Sequence, residues 1–426
     1  MGATIKIFFP SLADLIKKYK GDIRTVKDNS LSNFTLIDAK DPEIKPTKDL
    51  LSPENLKNLT LEQSRALSCF ISSAIGDSLG SHTEFSPFDY YSKINIKHYS
   101  DIKEPSPRAK IGQWTDDTSM ALCLADSLLE NQGNFNGIDI RYRFLLWWHC
   151  GYNSGCKGGL SFGLGGNIAQ SFRDFHKKQT EMTKKEIKNQ DNGNGSLMRL
   201  APVPIFFRNY EIKGLEYAEN QSFTTHNGEE ASECCKLLTH LIIQLINRKD
   251  RKFKEIFDEL EKFDTKNPSV KSLACSKKEK FDPNLHPSKF NKTDEDRNWN
   301  WKDEKFEISP FRFSLHPGYY ASYCMDALAL SLHYAYYSTN AYETVLRAVN
   351  AGGDSDTVAA ITGQIVGAIY GLEKEIMELY EEGVVQWDDW AIAVTAVKLF
   401  NFYEKMKSKN KEFNLESKIE ELKVEN

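Results

Sequence analysis

The chain is predicted to fold as an all-α protein built from packed helices. Apolar residues recur every three or four positions through most of its long segments, which is the spacing of a buried helix face. Almost no segment alternates polar and apolar residues with the period of two that a half-buried strand requires. The segments with helical spacing are Leu61–Ile71, Met120–Leu129, Tyr142–Trp148, Ala231–Ile246, Ala321–Tyr337, Ala341–Val349, Val358–Tyr370 and Trp390–Tyr403.

Differences in composition divide the chain into a central domain and two flanking parts. Residues 1–60 are polar and rich in lysine and aspartate, and we expect an appendage with one helix near Leu12–Tyr19. Residues 61–405 carry the helical pattern and are expected to form the domain. Within it, residues 247–317 are rich in Lys, Asp, Asn and Pro, and we expect an irregular insertion that is either solvated or a functional loop. Residues 406–426 form a charged tail, either helical or disordered.

Composition excludes several classes of protein. The hydrophobic share of 40% suffices for a large core, and the net charge of −5 argues against nucleic acid as the main partner. No stretch reaches the roughly 18 apolar residues of a transmembrane helix, so no membrane partner is expected. The eight cysteines include no CxxC pair, so we expect reduced, mostly buried thiols in a cytoplasmic protein.

Two acidic turns, each opening a predicted helix, form the candidate site. The first is Trp-Thr-Asp-Asp-Thr at 114–118, and the second is Asn-Ala-Gly-Gly-Asp-Ser-Asp-Thr at 350–357. Their carboxylate and hydroxyl oxygens are the ligands that Mg2+, Mn2+ or Ca2+ prefers. Two carboxylates about 4 Å apart repel each other by on the order of 4 kcal/mol at intermediate dielectric. A divalent cation removes that repulsion, so the pattern predicts a metal site if the turns meet.

Helix capping is the alternative explanation for both turns, because Asp, Ser and Thr favour helix N-termini. Thr115 is expected to cap the first helix, and Ser355 or Asp356 the second. Capping needs one oxygen, whereas each turn supplies several. Gly352 and Gly353 allow backbone conformations that let the side chains converge on one point.

A third acidic element is the glycine-rich segment from Gly76 to Phe85. Its glycines are expected to end the first core helix and direct a loop. Glu84, beyond a glycine break and before an aromatic residue, is therefore a candidate site carboxylate. Asp77 either joins the site or only ties the turn.

Two loops rich in glycine and asparagine are candidate anion-binding elements. They are Ser-Phe-Gly-Leu-Gly-Gly-Asn at 161–167 and Asn-Gly-Asn-Gly-Ser at 192–196. Such turns expose backbone N–H groups to an anion, and a plain loop with Ser196 as a helix cap is the alternative for the second. Neither matches a Walker A loop or a dinucleotide fingerprint. His226 and Tyr323 are either ligand contacts or structural side chains.

Taken in order, five motifs resemble the ADP-ribosylglycohydrolase family over roughly residues 61–405. The resemblance implies an orthogonal multi-helix bundle with a binuclear magnesium or manganese centre at the bottom of a cleft. Members of the family remove ADP-ribose from a modified protein side chain or from a small conjugate. The motifs are Gly76-Asp77-Ser78-Leu79-Gly80 with Glu84-Phe85, Thr115-Asp116-Asp117-Thr118, Gly193-Asn194-Gly195-Ser196-Leu197-Met198-Arg199, Thr225-His226-Asn227 and Gly352-Gly353-Asp354-Ser355-Asp356-Thr357.

The resemblance also implies roles for individual residues. The metal ligands would be Thr115, Asp116, Asp117, Asp354, Asp356 and Thr357. Candidate catalytic residues are Glu84, Asp116 and Asp356, of which Glu84 or Asp356 would transfer the proton. Phosphate and ribose contacts would come from Gly163, Gly165, Gly166, Asn167, Gly193, Asn194, Gly195 and Ser196. His226 would contact the ligand, and Tyr323 would lie near the adenine.

The chain departs from the family pattern at one loop position and at its additional segments. Some bacterial members carry a catalytic Asp in the loop that matches 163–167, where this chain has Leu164, which argues against an arginine-type mechanism using that acid. Segments 1–60 and 247–317 exceed the family core and are candidates for binding a protein partner.

Two other functional hypotheses compete with hydrolysis. One is a catalytically inactive structural or ADP-ribose-binding relative of the same fold, although all six ligand positions carry suitable residue types. The other is a nucleotide-sugar transferase that uses Asp354-Ser355-Asp356 as a metal-binding motif. That class alternates strands with helices, so the near absence of strand patterns disfavours it.

Overall fold

Helices account for the regular secondary structure of the computed structural model, which describes residues 44–52, 54–86, 95–103, 106, 108–156, 161–178, 180–183, 191–279, 297–306 and 322–409. No strand occurs in these ranges beyond two isolated bridges, so the all-α prediction is confirmed. The helices are α1 Ile44–Leu50, α2 Leu61–Gly80, α3 Asp116–Glu130, α4 Gly137–Cys150, α5 Gly166–Lys178, α6 Pro202–Phe206, α7 Glu211–Ser222, α8 Glu229–Asn247, α9 Phe253–Glu259, α10 Pro268–Ala274, α11 Cys324–Tyr336, α12 Ala341–Val349, α13 Ser355–Tyr370, α14 Lys374–Leu379, α15 Val385–Asp388 and α16 Ala391–Lys409.

The start of the predicted domain is defined by a capping box. Thr60 Oγ1 accepts a hydrogen bond from Gln63 N at 3.1 Å, and Gln63 Oε1 accepts one from Thr60 N at 3.0 Å. Helix α2 therefore begins at Leu61, where the apolar periodicity starts. Before it, α1 contacts α16 and Leu51 is buried, so this end of the 1–60 segment packs on the domain. The helix expected near Leu12–Tyr19 lies outside the described residues.

The core is organised around the pairing of α2 and α13, which pack along most of their lengths. A Cβ on Gly76 would lie 2.3 Å from Ala359 O, and one on Gly363 would lie 2.3 Å from Ser72 O. The two backbones therefore touch where these glycines lie. Of the glycines expected to end α2, Gly76 does not do so, because it lies inside this contact, whereas Gly80 is the last helical residue.

The segment 247–317 is not simply an irregular, solvated insertion, as the sequence suggested. Its described part contains α9 and α10, and Trp299 and Trp301 are both fully buried. Trp301 Nε1 donates to Leu273 O at 2.7 Å, and Trp299 Nε1 donates to Glu279 Oε2 at 3.0 Å. The large apolar area of tryptophan outweighs the polar composition of the segment. The described part of the insertion thus belongs to the domain core.

Sequence periodicity also missed α5 and α7, because charged residues dilute their apolar stripes. Helix α5 buries only four residues on one side, namely Ile168, Ser171, Phe172 and Phe175.

Six of the eight cysteines are buried, Cys156 and Cys275 are partly exposed, and all eight are free thiols. Among the described helices, none is long and apolar enough to cross a membrane.

The α2–α13 contact predicts a specific sensitivity to added volume. Gly363→Ala places a methyl group against the backbone of Ser72, and such overpacking costs about 1–3 kcal/mol of unfolding free energy. Urea unfolding followed by circular dichroism measures the change. Gly166→Ala is the control, since a Cβ there meets nothing within 4 Å. An unchanged or increased stability of Gly363→Ala would contradict the close packing.

Candidate functional site

The two acidic turns meet at one cleft of about 680 Å3. They belong to α3 and α13, which lie far apart in the sequence. Glu84 reaches the same cleft from the loop that follows α2. Among the sequence-predicted residues, those that line the described cleft are Glu84, Asp116, Asp117, Gly163, Gly165, Gly166, Asn167, Gly193, Asn194, Gly195, His226, Asp354, Asp356 and Thr357.

The second acidic turn presents its carboxylates through a left-handed backbone. Gly352 and Gly353 have φ values of 83° and 65°, a region that favours glycine. Asp354, rather than Ser355 or Asp356 as expected, occupies the N-cap position of α13, yet its side chain makes no cap hydrogen bond. Its Oδ2 instead accepts from Asn194 Nδ2 at 2.8 Å. Capping therefore does not account for this carboxylate.

The first acidic turn is held by a carboxylate from α2. Thr115 caps α3 as expected, but its hydroxyl is turned toward Asp77 and does not line the cleft. Asp77 Oδ1 accepts from Thr115 N and from Thr115 Oγ1, and its Oδ2 accepts from Thr118 N, each at 2.9 Å. Asp77 does not tie its own turn. It fixes the N-terminus of α3 and so places Asp116 and Asp117.

Glu84 lies next to the second turn because the loop after α2 is bonded to it. Thr83 Oγ1 is 2.9 Å from Ser355 Oγ, and Phe85 N donates to Gly353 O at 2.7 Å. Phe85 adopts a positive φ of 47°, unusual for a residue with a side chain. One oxygen from each of Glu84, Asp354 and Asp356 lies within 4.8 Å of the others. The three carboxylates therefore converge on one point.

Burial and mutual repulsion make this cluster hold protons unusually strongly. Burial raises the pKa of Asp116, Asp117 and Asp356 well above the ordinary value, and neighbouring carboxylates raise it further. Burial and then the charge of Asp354 raise the pKa of Glu84 to about 7, against the opposing effect of Arg108. Five carboxylates are thus concentrated where ionisation of all of them is unfavourable.

The arrangement fits divalent cations. Asp117 Oδ2 is buried and has no hydrogen-bond partner, which is costly unless a cation binds there. Among the described residues, no lysine or arginine forms an ion pair with any of these carboxylates. The donors are carboxylate and hydroxyl oxygens, which suit magnesium or manganese rather than a soft metal.

Another wall of the cleft is formed by the two glycine-rich loops. Gly163 has a φ of 91°, and a Cβ on it would lie 2.4 Å from Asp116 Oδ1, so its backbone touches the acidic cluster. Asn167 Nδ2 donates to Asp191 Oδ1, which also accepts from Gly193 N at 3.1 Å. Asp191 thereby joins the two loops. Sequence reasoning missed this residue, although it directly precedes the second glycine-rich motif.

Ser196 and Tyr323 do not line the described cleft. Ser196 is fully buried and accepts a hydrogen bond from Ser222 Oγ at 2.9 Å. Tyr323 pairs with Gly193 in an isolated bridge, and its hydroxyl donates to Glu230 Oε2 at 2.7 Å. Glu230 also accepts from Arg297 Nη2 at 3.0 Å, so the insertion supports this wall. Both residues stand behind the cleft.

Several lining residues were not predicted as site residues from the sequence. They are Phe85, Arg108, Trp148, Ser161, Phe162, Leu164, Ile168, Met198 and Ser322. Met198 lies inside the motif that runs from Gly193 to Arg199, and Leu164 lies in the glycine-rich loop 161–167. Arg108 and Ser322 come from segments without a recognisable pattern, and only the folded chain brings them to the site.

Known proteins are similar to this chain in both sequence and fold. The family model described as ADP-ribosylglycohydrolase matches residues 58–405. An ADP-ribosylarginine hydrolase Tri1 from Pseudomonas putida is 31% identical over 74% of this chain and 73% of its own length. The ADP-ribosyl-(dinitrogen reductase) glycohydrolase of Rhodospirillum rubrum is 26% identical over 72% of this chain and 86% of its own. A solved structure described as an ADP-ribosylglycohydrolase-related protein complex has a TM-score of 0.58 and 25% identity, and covers 81% of this chain and 99% of that one.

These matches agree with the order of motifs in the sequence and with the helical architecture. The matched region begins near the capping box of α2 and includes both acidic turns and both glycine-rich loops. It also spans the insertion that packs into the core. The chain belongs to the ADP-ribosylglycohydrolase family.

Proposed function

We propose that the protein is a metal-dependent hydrolase that cleaves the glycosidic bond at C1″ of ADP-ribose. The products would be ADP-ribose and the released protein side chain or small-molecule acceptor. The proposal rests on one observation: Glu84, Asp116, Asp117, Asp354 and Asp356 share a cleft without ion-pairing to a described lysine or arginine. Carboxylates so placed are explained by cation binding better than by stability, which their repulsion opposes.

The polar groups along the cleft suit two parts of ADP-ribose, the ribose next to the scissile bond and the diphosphate. The acidic cluster suits cations that orient ribose hydroxyls. The start of α5 and the Gly193–Gly195 turn, together with Asn167 and His226, suit the diphosphate. The reacting carbon would then lie beside Glu84, Asp356 and Asp116.

In the proposed reaction, water supplies the new bond to C1″ and the bond to the acceptor nitrogen or oxygen breaks. The leaving group takes a proton, and the water loses one. Of the six predicted ligands, those that line the cleft would hold two Mg2+ or Mn2+ ions, namely Asp116, Asp117, Asp354, Asp356 and Thr357. When bound, the ions would supply Lewis-acid catalysis and neutralise these carboxylates. Glu84 moves the proton or guides the leaving group, and Asp356 is the other candidate base. The transition state resembles an oxocarbenium ion.

The substrate class is tested with a panel of arginine-linked and serine-linked ADP-ribosylated peptides and small ADP-ribose conjugates. We expect ADP-ribose release from at least one of them, abolished by EDTA and restored by Mg2+ or Mn2+. The similarity to an ADP-ribosylarginine hydrolase makes the arginine linkage the first to assay, while Leu164 at the position of the bacterial acid argues against a mechanism that uses that acid. Release from none with metal present would favour the inactive, ADP-ribose-binding alternative.

The ligand assignment is tested by Asp356→Asn, which keeps the shape of the side chain and removes its charge. We expect kcat/KM to fall by about 100-fold or more, because cation-dependent transition-state stabilisation is worth several kcal/mol. Asp250→Asn, at an exposed position far from the cleft, is the matched control and should retain full activity. Full turnover by a folded Asp356→Asn enzyme would rule out its role as a ligand.

Cation binding should also stabilise the fold in a pH-dependent way. Glu84 has a folded-state pKa of about 7 against an ordinary 4.5, so its ionisation destabilises the cation-free fold above about pH 7. This destabilisation disappears as the pH falls from about 7 to below the ordinary pKa of 4.5. At a concentration about 100-fold above Kd, a cation adds roughly 3 kcal/mol.

Thermal unfolding with EDTA or with Mg2+, at about pH 8 and about pH 5.5, checks this linkage. The increase in Tm caused by Mg2+ should be larger at the higher pH, where the carboxylates are ionised. Asp356→Asn should lose most of the increase. An equal effect of Mg2+ at both pH values, or none, would contradict a carboxylate cation site.

A further inference from the structure

Beneath the substrate-binding wall, a buried arginine, threonine and histidine form a hydrogen-bonded series. Arg199 is fully buried, and its Nη2 donates to Thr225 Oγ1 at 2.9 Å. Thr225 Oγ1 is in turn 2.8 Å from His226 Nδ1. Arg199 is held by further bonds, from Nε to Gln221 Oε1 at 2.9 Å and from Nη2 to Thr224 Oγ1 at 3.2 Å. The series is therefore fixed at its arginine end.

The chemistry of these groups sets the direction of each hydrogen bond. A guanidinium only donates, so Thr225 Oγ1 accepts from Arg199. The hydroxyl hydrogen of Thr225 then needs an acceptor. Among the described residues, His226 Nδ1 is the other atom bonded to Thr225 Oγ1. Thr225 therefore donates to Nδ1, and Nδ1 carries no proton.

A neutral imidazole with an unprotonated Nδ1 carries its proton on Nε2. Burial, followed by the charge of Arg199, lowers the pKa of His226 to about 3, so the ring is neutral at neutral pH. The other hydroxyl that Arg199 contacts, Thr224 Oγ1, donates to Gln221 O at 2.6 Å and is satisfied independently. The Nε2–H tautomer thus follows from the hydrogen-bond pattern and from burial together.

Nε2 is the end of the ring that reaches the cleft. His226 lines the cleft, and a Cβ on either Gly193 or Gly195 would lie 3.2 Å from Nε2. The same Cβ on Gly193 would lie 3.1 Å from Asn167 Nδ2. No described protein group accepts a hydrogen bond from Nε2. The absence of side chains on both glycines is what keeps this N–H accessible.

We propose that Arg199 and Thr225 are positioning residues that hold His226 as the Nε2–H tautomer. The cleft then presents a neutral hydrogen-bond donor to an anionic oxygen of the substrate. If the proposed function is correct, that oxygen belongs to the diphosphate of ADP-ribose, so the identity of the ligand rests on that proposal. The tautomer itself does not depend on it.

A neutral donor at this place has a functional consequence. A protonated histidine would add a full positive charge beside the Gly193–Gly195 turn, and would attract carboxylates as well as the substrate. A single N–H instead recognises an acceptor oxygen by position. It also leaves the five carboxylates free for cations.

The tautomer is tested by NMR on the full chain without metal or substrate. Long-range 1H–15N spectra distinguish protonated from unprotonated ring nitrogens, and His226→Gln assigns the signals. We expect a protonated Nε2 and an unprotonated Nδ1 at neutral pH, retained in Thr225→Ser. In Thr225→Val the hydroxyl is lost, and a mixture of tautomers should appear. A protonated Nδ1 or a charged ring at neutral pH in the unaltered protein would overturn the proposal.

The role of the donor is tested with a matched pair of variants. The amide nitrogen of Gln reaches the position of Nε2, whereas that of Asn reaches the position of Nδ1. We expect the KM of His226→Asn to exceed that of His226→Gln by about 10-fold or more, and by a larger factor than any difference in kcat, as loss of one hydrogen bond to a charged oxygen predicts. Thr225→Val should raise KM likewise, and Thr225→Ser should restore it.

The two proposals fail in distinguishable ways. Equal KM values for the Gln and Asn variants, both folded, would overturn the donor role of His226 and leave hydrolysis intact. An unaltered protein that neither hydrolyses any substrate nor binds ADP-ribose in calorimetry would overturn the proposed function and the diphosphate as ligand. The NMR spectra would still decide whether Arg199 and Thr225 fix the tautomer.

Discussion

The contact between α2 and α13 is the constraint on which the rest of the site depends. Two buried helices approach until their backbones touch, because glycines at the contact leave no side chain between them. The same contact brings the C-terminal end of α2 against the first turn of α13, where a Cβ on Gly80 would lie 2.5 Å from the Cα of Asp356. Asp77 and Glu84 on one side, and Asp354 and Asp356 on the other, are thereby forced together. Carboxylates that would separate in solution are held at one point by packing.

Packing of this kind concentrates like charge at a cost in stability. Burial raises the pKa of every carboxylate in the cluster, which means that the fold disfavours their ionised forms. A site with that property is unfavourable without a counter-charge and becomes favourable when divalent cations bind. The repulsion between the carboxylates is confined to the cluster. The surrounding helices are closely packed and supply the stability of the fold.

A set of supporting hydrogen bonds, most of them from residues behind the cleft, orients the lining residues. Asp77 orients the start of α3, Asn194 engages Asp354, and Asp191 joins the two glycine-rich loops. Arg199 and Thr225 set the proton of His226 in the same way. All of these supporting residues are buried except Asp191, which is partly exposed, and each acts through a hydrogen bond whose direction follows from its chemistry. The lining residues therefore have defined orientations without a ligand.

The sequence by itself determined the helical class, the positions of eight of the sixteen described helices, the glycine turn at Gly352–Gly353 and the residues of the two acidic turns. These features are local, because they depend on periodicity and on residues a few positions apart. Only the tertiary structure decided that Thr115 is turned toward Asp77, that Ser196 and Tyr323 stand behind the cleft, and that Trp299 and Trp301 belong to the core. Those outcomes depend on partners far away in the chain. A local pattern shows that a side chain is buried or polar, whereas only the packing of distant helices specifies which atom it meets.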